Sequence, residues 1–513
     1  MNIIKAQNDC IEVSLGKAIK HLVNNSINTL VLPLAIPTGF GKTRIAIQGA
    51  IHTLNNEGKK INGTIVLWPQ KKSHITDAWK SSINWEKNIS EIEEGKRFDK
   101  ISWKPLVEKF SAADRNSYEG KHLFWVKSSD EWTKNEIAAE NLRKKGPIIF
   151  IIDEWHNKKL IEKFQKFESD KSNVIEKAEE FWRGLLLPQT MCNSRRKLFV
   201  LLVSATPIAT TIDMDEKKIV KDDDYDRIIT TAYDDFKILT KIGHQNSSYN
   251  FLENSYNVEI KNEVAKLKPT TEELRCFKVY GKKEDFLDEY IGAIRYLRIS
   301  NKDQSLVYLA EQLNFVDSQS LKIQALFDLL EYYQDRKFIV FCHHVEVAKK
   351  ITMFLQERWN VGSEVVYYSE FEDDDKPSDR QAKSAFNNKN DKQRILVLTD
   401  KDSQGIDLHK SNAWIVHYEL AWNPIRIIQR FGRVWRIVKR NGETKMTRPL
   451  AFYLPFTYSS EEEQINRLKR RWRFLEKLDA EFSKEKAKKR RTSMNFAAIP
   501  MEIALGTRWT PEP

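Results

Sequence analysis

Three short clusters of polar residues carry the chemistry available to this sequence. The first is Pro37-Thr38-Gly39-Phe40-Gly41-Lys42-Thr43. Gly39 and Gly41 let the backbone curl so that successive N–H groups point into one concavity, and a helix opening there adds its partial positive charge. Such a cradle suits phosphate. Lys42 would reach the β- and γ-phosphates of a nucleoside triphosphate, and the Thr43 hydroxyl would sit on a magnesium ion. Thr38, Gly39, Phe40, Gly41, Lys42 and Thr43 are therefore the candidate nucleotide-binding set. Ile36 stands where the full phosphate-loop pattern has another glycine, so this is a shortened form. Taken alone, a glycine turn at a surface can carry the same residues.

The second cluster, Asp153-Glu154-Trp155-His156, follows an apolar run. Two adjacent acids at the tip of a buried strand are unfavourable unless something cationic meets them. Magnesium on a nucleotide meets that need. Asp153 would hold the ion through its water shell, and Glu154 would orient or deprotonate the attacking water. The competing reading is a helix start, with both acids complementing its dipole. In the third cluster, Gln429 to Arg436, Arg433 and Arg436 are three apart and would project from one face of a helix. Guanidiniums so placed repel unless an anion sits between them, which suits a triphosphate; a solvated basic face is the alternative.

Strands and helices must hold these clusters. Leu30–Ile36, Gly63–Pro69, Pro147–Ile152 and Lys197–Val203 read as buried strands, with His122–Val126 as one more. Arg44–Leu54 and Asn173–Leu187 read as amphipathic helices. Each strand ends in polar residues, where parallel sheets present ligands: the phosphate loop, Gln70–His74 with Lys71 and Lys72, Asp153, and Ser204-Ala205-Thr206-Pro207. The last hydroxyls could relay a signal or cap a helix. Residues 1–30 read as helical, and Gln7 could reach an adenine edge or stand in solvent. Residues 211–315 are charged and helical in pattern, and Ser320–Tyr333 is an amphipathic helix. A second strand rhythm follows: Lys337–Cys342, Glu364–Tyr368, Arg394–Thr399, Ala413–Tyr418 and Leu450–Leu454. That alternation predicts a second α/β domain with a largely parallel sheet. Ile465, Leu468, Trp472, Leu475, Leu478 and Phe482 then give a helix one apolar stripe, flanked by Arg467, Lys469, Arg470, Arg471 and Arg473. Residues 493–513 are expected to form a loosely held end.

A chain of 513 residues exceeds a single core, so two or three domains are expected. Hydrophobic residues make up 41% and charged residues 30%, a soluble globular balance. No apolar run approaches bilayer length, and Asp9 and Glu12 argue against a secretory leader. Cys10, Cys192, Cys276 and Cys342 are scattered, which fits reduced thiols rather than a metal site. The net charge of +12 points to a polyanionic partner, nucleic acid being commonest.

In their order along the chain, the phosphate loop, Asp-Glu-x-His, Ser-Ala-Thr, Gln404-Gly405-Ile406-Asp407 and Gln-Arg-x-Gly-Arg-x-x-Arg resemble the superfamily 2 helicases and translocases of DExH type. The resemblance covers residues 1–210 and 320–455. The stretches Trp414–Pro424 and Gln429–Arg436 are similar to Swi/Snf and bacterial helicase-like translocases, while the opening loop is similar to restriction-type and defence-associated helicases. Trp435 stands where that family commonly has a smaller polar residue.

The implied fold is α/β, with two tandem RecA-like parallel-sheet lobes. Lobe 1 would span 1–210, a mostly helical insertion or bridge 211–319, lobe 2 320–457, and a basic amphipathic helix with tail 458–513. By the same resemblance Lys42, Asp153, Glu154, Gln429, Arg433 and Arg436 are catalytic, the two arginines serving as fingers. Thr43 and Asp153 hold magnesium, and Gly405 and Asp407 join the nucleotide-binding set. Ser204, Thr206, His156 and Gln429 would couple nucleotide state to nucleic-acid grip. The implied cofactors are ATP and Mg2+. The implied activity is ATP-dependent movement on, or remodelling of, nucleic acid, DNA favoured over RNA. The setting would be the cytoplasm or nucleoid, without a membrane, and with a nuclease or other protein as a potential partner. The alternative is an ATP-gated sensing module of a larger restriction or defence complex that does not separate strands.

Overall fold

The computed structural model describes residues 7, 15, 22, 27–36, 41–55, 63–68, 103–105, 121–125, 146–155, 160–187, 195–204, 222–240, 242, 262–263, 266–267, 321–342, 345–359, 365–367, 386–388, 392–399, 408–421, 423–440, 443–454, 460–485 and 499–508. The chain divides into two units, 1–260 with 477–496 and 261–476 with 497–513.

The first unit is built on six parallel strands: β1 (Thr29–Ala35), β2 (Gly63–Trp68), β3 (Trp103–Pro105), β4 (Lys121–Trp125), β5 (Ile148–Asp153) and β6 (Leu198–Ser204). Their order is β1-β6-β5-β2-β4-β3. Every residue of β5 and β6 is buried. Helices on both faces of a parallel sheet require such continuous apolar runs rather than alternation. Around the sheet lie α1 (Lys42–Asn55), α2 (Leu160–Gln165) and α3 (Val174–Leu186). Asn173 caps α3 by accepting from the Ile175 amide at 2.9 Å, and Ala178, Phe181, Trp182 and Leu186 form its buried face. Of the strands expected in this half, all five are present; β3 is an addition.

One helix of the expected bridge is part of this unit. In α4 (Asp222–Thr240), Ile229, Ala232, Phe236 and Leu239 are buried. Trp182 Nε1 donates to the Leu239 carbonyl at 3.1 Å, and the Val31 amide reaches the Ile242 carbonyl at 3.4 Å. Residues 262–263 and 266–267 belong to the second unit, and the remainder of 211–319 lies outside the described residues.

The second unit repeats the plan with β7 (Phe338–Cys342), β8 (Val365–Tyr367), β9 (Ile395–Thr399), β10 (Trp414–His417), β13 (Ala451–Tyr453) and β14 (Thr507–Arg508), in the order β14-β13-β10-β7-β9-β8. All its pairings are parallel. The five strands expected here are all found. α5 (Leu321–Tyr332) and α6 (Val345–Trp359) contribute Leu326, Leu329, Leu330, Val347, Ile351 and Leu355 to one core with β7, β9, β10 and β13. An antiparallel hairpin of β11 (Ile437–Arg440) and β12 (Glu443–Met446) was not expected. It follows α7 (Pro424–Phe431), capped by Asn423, whose side chain accepts from the Ile425 amide at 3.1 Å.

In α8 (Ser460–Glu485), Ile465, Leu468, Trp472 and Leu475 are buried as their spacing predicted. The expectation of a loose end at 493–513 is corrected for residues 499–508. There Ile499, Ile503, Ala504 and Leu505 are buried, α9 (Met501–Ala504) packs on α7, and β14 pairs with β13. Apolar side chains spaced too closely for a long helix gave no periodic signal. Among the described residues, no helix is long and apolar enough to cross a membrane.

Gly506 makes this docking possible. Its φ is +82°, and a Cβ there would collide with the Ala451 carbonyl oxygen. Replacing Gly506 with Val should therefore cost about 1–3 kcal/mol locally and accelerate amide exchange in 499–508, measured by hydrogen–deuterium exchange.

Candidate nucleotide-binding site

The strand order of the first sheet decides which residues meet. β6 lies between β1 and β5, with Ala35 paired to Ser204 and Asp153 to Val203. The carboxyl ends of three strands distant in sequence therefore share one edge, where open parallel sheets bind ligands.

At that edge Gly41 has φ +81°, a left-handed conformation open to glycine, and its carbonyl accepts from the Ile45 amide at 2.9 Å to begin α1. Lys42 and Thr43 occupy the first turn of that helix, which carries no acid. The helix N-terminus and the lysine thus present positive charge together. Lys42 Nζ forms an ion pair with Glu154 Oε1, both side chains being mostly buried. Ser204 Oγ donates to Glu154 Oε2 at 3.0 Å. Glu154 itself has φ 42°, strained for a residue with a Cβ and held by these two contacts. Asp153 ends β5 at 8% exposure.

The sequence allows Gln7 either solvent or an adenine edge. It is buried, and its Oε1 accepts from Arg44 Nη1 at 2.8 Å. Its side chain lies against Gly41 so closely that a Cβ there would collide with it. The alternative of a solvent-exposed glutamine is corrected, and Arg44, outside every motif, is the partner that sequence reading missed.

Trp155 supplies another unread link. It is 1% exposed and stacks on Phe236 of α4, centroids 5.4 Å apart at 23°. The loop carrying the two acids is thereby anchored to a helix remote in sequence. Thr38, Gly39, Phe40, His156, Thr206, Lys71, Lys72, Gly405 and Asp407 lie outside the described residues.

The arginine cluster has a different local structure from that expected. α7 ends at Phe431, so Arg433 and Arg436 do not share a helix face. Gly432, at the helix end, starts a turn in which the Arg433 amide donates to the Arg430 carbonyl at 3.1 Å. The Arg433 carbonyl accepts from the Leu408 amide at 3.1 Å, tying the turn to the segment that follows Asp407. Thr447 secures the next residues: its Oγ1 accepts from the Arg436 amide at 2.8 Å and donates to the Val434 carbonyl at 2.5 Å. A lone threonine after the hairpin gave no sequence signal. Arg433, Arg436 and Gln429 are all half-buried in the second unit.

The fit to a nucleotide rests on this chain's own geometry. A left-handed glycine ahead of a helix N-terminus, a lysine whose ammonium already meets a carboxylate, and an aspartate at a buried strand tip form a set suited to phosphate and its cation. Among the described residues, no group of three or more His, Cys, Asp or Glu could hold a metal ion by itself.

These features define an α/β enzyme of the phosphate-loop class with two sheet domains. Two family models match it in tandem: the res subunit of type III restriction enzymes over residues 3–209, and the helicase conserved C-terminal domain over residues 321–438. With these two models in tandem, the chain is similar to the superfamily 2 helicases. An uncharacterized ATP-dependent helicase of Bacillus subtilis (strain 168), YqhH, is 29% identical over 135 residues, spanning 26% of this chain and 22% of that protein. Two solved structures are similar at low identity. Dbp5 of S. cerevisiae, bound to RNA and ADP BeF3, is 14% identical, covering 90% of this chain and 86% of its own, with a TM-score of 0.39. The helicase domain of Hef from Pyrococcus furiosus is 16% identical, covering 89% and 98%, with a TM-score of 0.42.

Removing the Trp155 ring should cost the first unit about 3–5 kcal/mol, the range for deleting a large buried aromatic. Urea unfolding of Trp155→Ala followed by near-ultraviolet circular dichroism checks this.

Proposed function

We propose that this chain is an ATP-driven translocase on nucleic acid, with duplex DNA as its track. The observation that carries the reading is the meeting of Lys42, Glu154 and Ser204 at one edge of the first sheet. Lys42 neutralises Glu154. A triphosphate seated on Gly41, Lys42 and Thr43 competes for the same ammonium, which releases Glu154 to take a proton from the attacking water. Glu154 therefore becomes an available base only when substrate is present. Magnesium arriving with the nucleotide would be held by Thr43 and Asp153 and would offset charge on the β- and γ-phosphates.

Ser204 stands one hydrogen bond from that base, so a change at Glu154 is felt at the tip of β6 and in the segment after it. Arg433 and Arg436 are the proposed arginine fingers for the γ-phosphate, and Gly405 and Asp407 directly precede Leu408, whose amide donates to the Arg433 carbonyl. Turnover then depends on residues of both lobes. The restriction-enzyme match of the first lobe favours DNA over RNA. On α8, Lys469 and Arg473 are exposed and one helical turn apart, suiting contacts with backbone phosphates. This reading also places the protein in the cytoplasm or nucleoid, working with a nuclease or another protein.

ATP turnover measured in parallel without polynucleotide and with single-stranded DNA, duplex DNA and RNA tests the reading. Duplex DNA should stimulate most. Triplex displacement without strand displacement would mark a duplex translocase; stimulation with neither activity would mark a stationary sensor instead. Lys42→Ala and Glu154→Gln should abolish turnover, and Arg433→Ala should lower kcat by about 10³–10⁵. Normal turnover in the first two would remove the assignment.

Lys469→Ala combined with Arg473→Ala should weaken DNA binding without sequence preference. The slope of log K against log salt should fall by about 2, measured by fluorescence anisotropy.

A further inference from the structure

Residues 499–508 reach the arginine segment through a buried polar chain. His417 ends β10 with no exposed surface, and its Nε2 lies 2.9 Å from the Ala504 carbonyl oxygen. Its Nδ1 lies 3.4 Å from Arg430 Nη1. A guanidinium only donates hydrogen bonds, so Nδ1 accepts and the ring proton resides on Nε2, from which it is donated to Ala504. Arg430 is also fully buried. Its Nη1 donates to the Glu419 carbonyl at 2.7 Å, and its guanidinium lies over the Phe341 ring, 5.3 Å from the centroid. Phe341 in turn stacks on His417.

Arg430 sits in the last turn of α7, and its carbonyl accepts from the Arg433 amide. Its side chain therefore registers the place of Ala504 through His417, while its backbone sets the turn that begins at Gly432. An edge strand needed only to cover the sheet has no use for a buried histidine between it and this helix. Covering an edge takes backbone pairing, which β14 already supplies.

We propose that residues 499–508 are a positioning element for nucleotide turnover, acting through His417 and Arg430 on the seat of α7 and hence on Arg433 and Arg436. The proposal rests on the reading of those arginines given above. His417 and Arg430 are positioning residues here, since neither is placed in contact with substrate. Two buried hydrogen bonds with fixed donor and acceptor roles give the seat one orientation. Without them, α7 keeps its apolar contacts through Ile425, Ile427, Ile428 and Phe431 but loses the polar link that fixes its register.

The test uses full-length His417→Leu and His417→Gln. Glutamine retains an acceptor for Arg430 and a donor for Ala504; leucine retains neither. ATP turnover is measured with and without linear duplex DNA, beside hydrogen–deuterium exchange of residues 424–436 and 499–508. His417→Leu should lower kcat by about tenfold to a hundredfold, the effect of a small misplacement of a catalytic group. KM for ATP should change less than about twofold. Exchange should quicken in 424–436, and His417→Gln should restore both readouts toward wild type.

Gly506→Val disturbs the same segment with His417 intact and should lower kcat in the same direction, which covers the case of a leucine variant that does not fold. Wild-type exchange in 424–436 for either disruptive variant overturns the proposal. So does an unchanged kcat, or a glutamine variant no better than leucine. If the wild-type chain turns over no ATP, the proposed function fails, while the exchange data still decide whether 499–508 holds α7.

Discussion

The ammonium of Lys42 and the carboxylate of Glu154 neutralise each other at the carboxyl edge of the first sheet, and the local architecture answers to that pairing. A half-buried carboxylate is favoured by a cation or by several donors beside it. Lys42 and Ser204 provide them. The left-handed backbone of Glu154 is maintained by the same two contacts.

Bringing these groups together is a matter of topology. Lys42 and Glu154 come from opposite sides of β6, and Ser204 is the last residue of β6 itself. With all neighbours parallel, every strand delivers its final residue to the same edge. The apolar runs between them need only be buried, and β5 and β6 are buried along their whole length. The chemistry is thus confined to the residues at which burial ends.

The second unit uses the same parallel plan but holds its arginines by other means. No helix face presents Arg433 and Arg436. Backbone bonds from Leu408 and the two-way hydroxyl of Thr447 hold the turn, and the buried guanidinium of Arg430 secures the preceding helix. These bonds hold the backbone of the short turn that carries both arginines. The first unit shows a similar economy in Trp155, which anchors the acidic loop to α4 by stacking on Phe236.

By itself the sequence determined the strands, their burial and the residues at their tips, because apolar runs and terminal polar residues are local signals. It located Lys42, Asp153, Glu154 and Ser204 correctly at strand or helix ends for that reason. Partners remote in the chain were decided only by the tertiary structure. Gln7 with Arg44, Trp155 with Phe236, Thr447 beneath Arg436, and Ala504 against His417 carry no periodicity or motif. The helix end at Phe431 was hidden as well, since Arg-Val-Trp-Arg continues a helical pattern while Thr447 and the hairpin draw the backbone away. The closing strand was hidden because Thr507–Arg508 is too short to show alternation; β13 and the space above Ala451 gave it its place. Local preference sets what a segment can become, and long-range hydrogen bonding selects where it ends.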